Sequence, residues 1–488
     1  MGAVLSGGKI RVYSPSSGLL VNSLEISSLD SIDKPSYPSK WSALSTYDRV
    51  RYIRFMRKAI SKQSEDFISI IMEETGKKEF EALMEVFVAI EHLRSIERKG
   101  PKYIKSESRS TGLLKNKRSR VYYEPYGIAG VISPWNYPLI LALCPAIEAM
   151  VSGNSVVLKP SEHTPGTTQL IKKIWDKSTG YSDALVPVYG GPEIGRAMVQ
   201  SSNINIICFT GSTEIGRKIA ADCGALLKPC ILELGGKDPM IILNDADIDR
   251  TVDAAVWGAM SNAGQTCISV ERILVQDSVY DTFLDRFKDK VSKLSAGPNS
   301  NDHVGAITVP SGIEKIKLHT DKFSEQNKFF GVISDNSVSG SYCKPTIIID
   351  PDDSATILNE ETFGPVVTIE RFNDDSDAVF RANMTRFGLA ASIFGRNKIR
   401  MKKIARQINA GSVSFNDIQT HYGIADIPFG GVKDSGLGRL HGKEGVRSFC
   451  YIKTITDNRI QLNTEPWWYG NQSRSIDWIR RIIRSIYS

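Results

Sequence analysis

A chain of 488 residues that is 41% hydrophobic and 24% charged, with a formal charge of +7, has a globular composition and is long enough for two or three domains with buried cores. No run approaches the roughly 18 apolar residues of a membrane-spanning helix, and Lys and Arg are interspersed with Asp and Glu rather than gathered with aromatics into the basic stripe that nucleic acid requires. Seven cysteines without a Cys-x-x-Cys pair argue against a disulfide framework and a zinc site, and the N-terminus lacks the basic and apolar regions of a signal peptide, so the expectation is a cytoplasmic chain with reduced thiols and no metal.

Ile10 to Tyr13 and Leu19 to Leu24 flank a Ser-Pro-Ser-Ser-Gly turn and read as two strands. From Tyr47 to about Lys99 apolar residues recur at three and four, as in Val50, Ile53, Met56 and Ile60, which predicts amphipathic helices packed on a sheet and broken at Thr75-Gly76-Lys77. His92 within them reads as a surface or packing residue. Ser106 to Tyr123 is basic, and Arg118 to Tyr123 alternates like an exposed strand. Its unpaired edges need a partner, for which Arg447 to Thr456 is the candidate.

Ile128 to Ile132 reads as a buried strand ending in Ser133-Pro134-Trp135-Asn136-Tyr137-Pro138, and Ser155 to Leu158 as another ending in Lys159-Pro160-Ser161-Glu162. Loops at the carboxyl ends of parallel strands are where α/β folds bind ligands. Leu185 to Tyr189 and Ile206 to Phe209 lead into glycine turns, the second being Thr210-Gly211-Ser212-Thr213-Glu214-Ile215-Gly216. Such turns bring backbone amides and a helix dipole to a phosphate, although neither is the Gly-x-Gly-x-x-Gly fingerprint.

Two stretches carry chemistry. Leu232-Glu233-Leu234-Gly235-Gly236-Lys237 sets a lone carboxylate between apolar neighbours, and Asn262-Ala263-Gly264-Gln265-Thr266-Cys267 sets a thiol among small and polar residues after a short helix at Ala254 to Met260. A thiol nucleophile and a partly desolvated carboxylate base are the two halves of acyl-enzyme chemistry. Beyond Cys267 a second α/β unit is expected. At the end of the chain, Pro466-Trp467-Trp468-Tyr469 precedes Ile476, Ile479, Ile483 and Ile486 on one helical face, with Arg480, Arg481 and Arg484 on the other side. A basic amphipathic helix of this kind more often packs across its own subunit or a partner than on a membrane.

The Leu-Glu-Leu-Gly-Gly-Lys and Gly-Gln-x-Cys segments resemble the signature segments of the aldehyde dehydrogenase superfamily, and further family-like stretches run from about Val12 to Lys453. The resemblance implies an α/β fold of two Rossmann-like domains plus a small β oligomerisation arm. It implies an NAD(P)-binding domain at 1–105 and 126–232, a catalytic domain at 233–446, oligomerisation strands at 106–125 and 447–465 in a homodimer or homotetramer, and a tail at 466–488. Carried over position by position, Cys267 is the nucleophile, Glu233 the base and Asn136 the donor to the substrate oxygen. Pro134, Trp135, Lys159, Glu162, Gly211, Ser212, Gly216, Glu361 and Phe363 would meet the dinucleotide, with Glu162 on the adenosine ribose favouring NAD over NADP, and Glu361 and Phe363 beside the nicotinamide end. The activity implied is oxidation of an aldehyde to its acid through a thiohemiacetal and a thioester. Glu233 favours hydrolysis over the alternatives, which are acyl transfer to coenzyme A and a non-catalytic role. Between Gly305 and Pro345 the chain is shorter than typical relatives, which carry an extra surface helix and strand there.

Overall fold

The computed structural model describes residues 2–323, 329–330 and 341–486. Two compact units divide the chain: 1–104 with 125–451, and 105–124 with 452–488.

The first unit holds two parallel sheets. In the first, the order is Gly436–Leu437, Cys230–Glu233, Ile206–Thr210, Ile128–Ile132, Ser155–Lys159, Leu185–Pro187, all parallel except the short Gly436–Leu437 edge. Its inner strands are buried on both faces, which explains why they read as continuous Val/Ile runs without alternation. Chain order reverses between Ile128–Ile132 and Ile206–Thr210, so a crevice opens beyond their carboxyl ends, where Pro134-Trp135-Asn136 and Gly211-Ser212 lie.

The predicted helices form as Thr46–Lys62, Ser64–Thr75 and Glu79–Tyr103. Ser45 caps the first, and Gly76 in the left-handed region ends the second. Their buried face, Ile53, Met56, Phe67, Ile71, Val86 and Leu93, packs against Val131, Val156 and Leu158 of the first sheet. Between them lies Ile140–Ser152, a helix with every residue buried.

The second sheet runs Phe329–Phe330, Thr346–Ile349, Val366–Phe372, Val270–Gln276, Asp238–Ile242, Ala390–Phe394, Ser412–Phe415, parallel except for its first edge. An N-terminal antiparallel sheet of Ala3–Ser6, Lys9–Tyr13 and Leu20–Glu25 adds one strand that the turn chemistry did not announce.

Two expectations change. The boundary at 232/233 falls inside strand Cys230–Glu233, so Glu233 is carried by the first sheet, because this strand pairs with Ile206–Thr210 along its whole length. The strand expected from Arg447 starts at Cys450, since a helix, Gly442–Ser448, takes up the preceding residues. The shortened stretch holds helix Pro310–Thr320, while 324–328 and 331–340 lie outside the described residues.

In the second unit, Cys450–Asn458, Lys117–Pro125 and Glu107–Arg109 form a sheet in that order, so the two candidate arm strands do pair. The tail forms helix Gln472–Ile486. Its isoleucine face is exposed, with Ile476 at 47% and Ile483 at 55% exposure.

Candidate active site

The turn before Cys267 departs from ordinary backbone geometry. Asn262, Ala263 and Gly264 all have positive φ, at 52°, 53° and 70°. A Cβ at Gly264 would lie 2.0 Å from the Gly364 carbonyl oxygen, so only glycine fits. Left-handed backbone at Asn262 and Ala263 costs about 1–3 kcal/mol each. The surroundings hold it. The Asn262 N–H donates to Glu81 Oε1 at 2.5 Å, Gln265 Nε2 donates to the carbonyls of Asn262 (3.0 Å) and Ala306 (3.1 Å), and Thr308 N–H donates to Gln265 Oε1 at 2.9 Å. The Cys267 side chain emerges half-buried into a cleft. Burial first, then the charges of Asp238, Glu361 and Glu233, push its thiol up, while the Ile268 N–H opposes the shift.

Glu233 ends its strand 4% exposed, and neither carboxylate oxygen has a hydrogen-bond partner. Burial pushes its pKa well above the carboxylate range, Arg439 opposes this and Glu148 adds to it. A Cβ at Gly430, where φ is +151°, would stand 2.8 Å from Glu233 Oε1, so the Phe429-Gly430-Gly431 loop leaves the carboxylate its space. A buried, unpaired carboxylate is costly, and such groups concentrate at functional sites.

One cavity of about 300 Å³ is lined by Cys267, Glu233, Asn136, Pro134, Trp135, Gly211, Ser212, Glu361 and Phe363, drawn from both sheets. Trp135 and Phe363 meet edge to face at 5.6 Å. Phe363 is held by Glu271, which accepts the N–H groups of Thr362 (2.8 Å) and Phe363 (2.9 Å) and pairs with the buried Lys237 at 2.5 Å. The Glu361 carboxylate accepts the Gly236 N–H at 3.1 Å, and burial, then Glu271, pushes it up to about 7. Three predicted residues do not line this cavity. Lys159 and Glu162 sit at the end of the neighbouring strand, 3.7 Å from each other. Gly216 is a packing glycine, since a Cβ there would lie 2.4 Å from Leu234 Cδ2. The Ser212 hydroxyl caps helix Thr213–Ala225, accepting from Ile215 N–H.

Sequence reasoning missed the pair that supports Asn136. Lys77 and Glu85 are fully buried and bonded at 2.8 Å. Lys77 Nζ also donates to the Asn136 carbonyl at 2.8 Å, and Glu85 accepts the Leu139 N–H at 2.8 Å, where its charge meets the start of helix Ile140–Ser152. The signal available was a charged residue on the apolar stripe of Glu79–Tyr103, between Ala82 and Ala89. Replacing Lys77 by methionine strands a buried carboxylate. Thermal or denaturant unfolding should show a loss of about 3–5 kcal/mol, part of which the double replacement of Lys77 by Met and Glu85 by Leu restores.

His92 is buried too, with Nε2 at 3.1 Å from Glu148, whose oxygens also accept the His441 N–H. Burial lowers His92 to about 4, so its ring is neutral at pH 7, and burial raises Glu148 to about 7.

A second cavity, of about 420 Å³, reaches Cys267 from another side. Its walls include Met84, Phe87, Val88, Ile140, Leu141, Trp257, Ile418, Tyr422 and Ile424, with Glu81, Glu85 and Glu91, and hold no Lys, Arg or His. Phe87, Trp257 and Ile424 stand exposed at 55%, 44% and 51%.

The profile of the aldehyde dehydrogenase family matches residues 20–455. The chain is 32% identical to 4,4'-diapolycopene aldehyde oxidase of a Methylomonas species, over 98% of this chain and 91% of that protein. It is 31% identical to glutarate-semialdehyde dehydrogenase of Pseudomonas aeruginosa, over 92% and 94%. The crystal structure of a Mycobacterium tuberculosis aldehyde dehydrogenase complexed with NAD+ matches with a TM-score of 0.88 at 28% identity, over 94% of this chain and 96% of that one.

Proposed function

The chain belongs to the aldehyde dehydrogenase family and is an aldehyde oxidoreductase, and from that premise we propose that it converts an uncharged, apolar aldehyde to the carboxylic acid with NAD(P), through Cys267 and hydrolysis assisted by Glu233. The observation that carries the reading is the meeting of Cys267 with two cavities, one shared with Glu233 and Asn136, the other walled largely by apolar side chains.

The first cavity fits a dinucleotide. Gly211 and Gly235 line it without side chains, and Trp135 with Phe363 offers flat aromatic surface. Lys159 and Glu162 would take ribose hydroxyls at the far end, where a carboxylate accepts from a free 2′-hydroxyl and repels a 2′-phosphate, and Glu361 would take those at the nicotinamide end. The bound cofactor supplies the hydride acceptor.

The protein does the rest. Cys267 loses its proton and attacks the aldehyde carbon from the half-buried turn. Asn136 Nδ2, already donating to the Gln265 carbonyl at 2.9 Å, has a second amide proton for the developing oxyanion, beside the Cys267 N–H. Once the carbon is oxidised to a thioester on Cys267, Glu233 takes a proton from water. The raised pKa from burial makes it a stronger base than an exposed carboxylate, and the absence of internal hydrogen-bond partners leaves both oxygens to the water. The resulting oxygen nucleophile splits the thioester and returns Cys267.

The apolar channel sets the substrate class. A succinate- or glutarate-type semialdehyde would bring a second carboxylate into an apolar channel toward Glu81, where Glu85 and Glu91 are already paired with Lys77 and Arg94 and no Lys, Arg or His lines the wall to receive it. Each added methylene instead gains about 0.8 kcal/mol. NADH formation at 340 nm over an aldehyde panel tests this. Medium-chain aldehydes such as octanal should exceed succinic semialdehyde in kcat/KM by roughly a hundredfold or more, and NAD should serve at least as well as NADP. Preference for the acidic semialdehyde would overturn the substrate assignment. The exposed strand Cys450–Asn458, buried only at its first residue, supports assembly into a homo-oligomer through the arm.

A further inference from the structure

We propose that the C-terminal helix Gln472–Ile486, with the aromatic turn before it, docks the protein on an anionic lipid surface. The helix is fastened at its base. Ser475 is buried and donates to the Pro466 carbonyl at 2.6 Å, while Glu465, 4% exposed, pairs with Lys117. Lys117 Nζ lies 5.8 Å from the centre of the Trp467 ring. Beyond Ser475 the large apolar side chains stand in solvent: Ile476, Trp478, Ile479, Ile483 and Ile486 are each between 42% and 55% exposed, and Trp468 and Tyr469 reach 53% and 96%.

The occupant follows from the arrangement of charge around this face. At helical spacing the isoleucines share one broad arc. Arg480 borders it beside Ile476 and Arg481 borders it beside Trp478, so a cation stands at each edge of the apolar arc. Arg484 lies on the polar side with Asp477, the acidic residue of the helix. A protein interface core is depleted of charge and favours a rim that is mixed in sign. A lipid surface asks for what is here, an apolar face sunk to the acyl boundary, arginines at its edges reaching phosphates, and Trp and Tyr at headgroup level. The helix is too short and too charged to cross a bilayer, and no described helix is long and apolar enough to do so. It lies on the surface.

Co-sedimentation of the full chain with vesicles, in the absence of aldehyde and cofactor, reads the binding apart from catalysis. Vesicles of phosphatidylcholine with about 30% phosphatidylserine should take up the protein at least tenfold more strongly than phosphatidylcholine alone, and rising salt should weaken the binding. The double variant I479D/I483D should lose at least tenfold in uptake, and R480E/R481E should lose the preference for phosphatidylserine, while both keep wild-type turnover of a water-soluble aldehyde and wild-type mass in solution. Wild-type protein that stays in the supernatant with phosphatidylserine vesicles overturns the proposal. So does a fall in assembly mass for I479D/I483D, which would place the apolar face against a second copy of the chain.

Discussion

Replacing Cys267 by alanine should abolish aldehyde-dependent NADH formation, by roughly 10⁴-fold or more in kcat, because it removes the thiol that the proposed thiohemiacetal and thioester require. The side chain is half-buried and makes no side-chain ion pair, so the folding free energy should stay within about 1 kcal/mol of wild type. A melting curve taken beside the assay separates loss of chemistry from loss of fold. The thiol itself carries a pH signature. Burial and three neighbouring acids favour the protonated form, so the thiolate fraction should still be climbing at pH values where an exposed cysteine is half ionised. Alkylation of wild type by iodoacetamide, followed by mass spectrometry at Cys267, should accelerate across the alkaline range without a plateau near pH 8.5. A plateau there would mean that the acids around the sulfur exert no such pull.

Replacing Glu233 by glutamine should separate the two halves of the reaction. Acylation of Cys267 survives, so stopped-flow mixing should show a burst approaching one NADH per site, and the steady rate after it should fall by roughly 10²–10⁴-fold. A steady rate equal to wild type would transfer the role of base to another group. Stability should move the other way. Folding raises the pKa of Glu233, so its folded-state preference for the proton is fully satisfied below the ordinary carboxylate pKa and is lost as pH rises through the raised value. At pH 8, far above the ordinary carboxylate pKa, folding must either take up a proton at Glu233 or bury its charge, which weighs against the wild-type fold, and the glutamine variant should melt higher. At pH 4 the two should converge. Equal melting temperatures at both pH values would mean that the carboxylate is solvated in the folded state. In the proposed mechanism the same desolvation that costs stability strengthens the base.

The two effects rest on residues of unequal legibility. Cys267 and Glu233 stand in short segments whose resemblance reaches the family, and the helices at 46–103 announce themselves by period, since Ile53, Met56 and Ile60 mark a face whatever that face meets. Glycines were legible as turns but not as contacts. Gly211 borders the cavity, whereas Gly216, five residues on, lets its helix approach Leu234. The buried ionic pairs were the hardest to see. Lys77 with Glu85 and Lys237 with Glu271 join residues from different elements, and a charge in a sequence reads first as solvated surface.

The sequence by itself determined the local things: which segments are strands and helices, where the chain must turn, and which short segments resemble the family's signatures. Periodicity, capping and turn residues act over a few positions, so they are written where they act. Tertiary structure alone decided that Glu233 at the end of the first sheet and Cys267 beside the second sheet face one cavity. It also assembled the acid-lined apolar channel from 81–91, 137–141 and 418–424, and left the isoleucine face of the last helix uncovered. Those outcomes depend on which surfaces meet, and burial and desolvation are properties of the meeting, not of any segment alone.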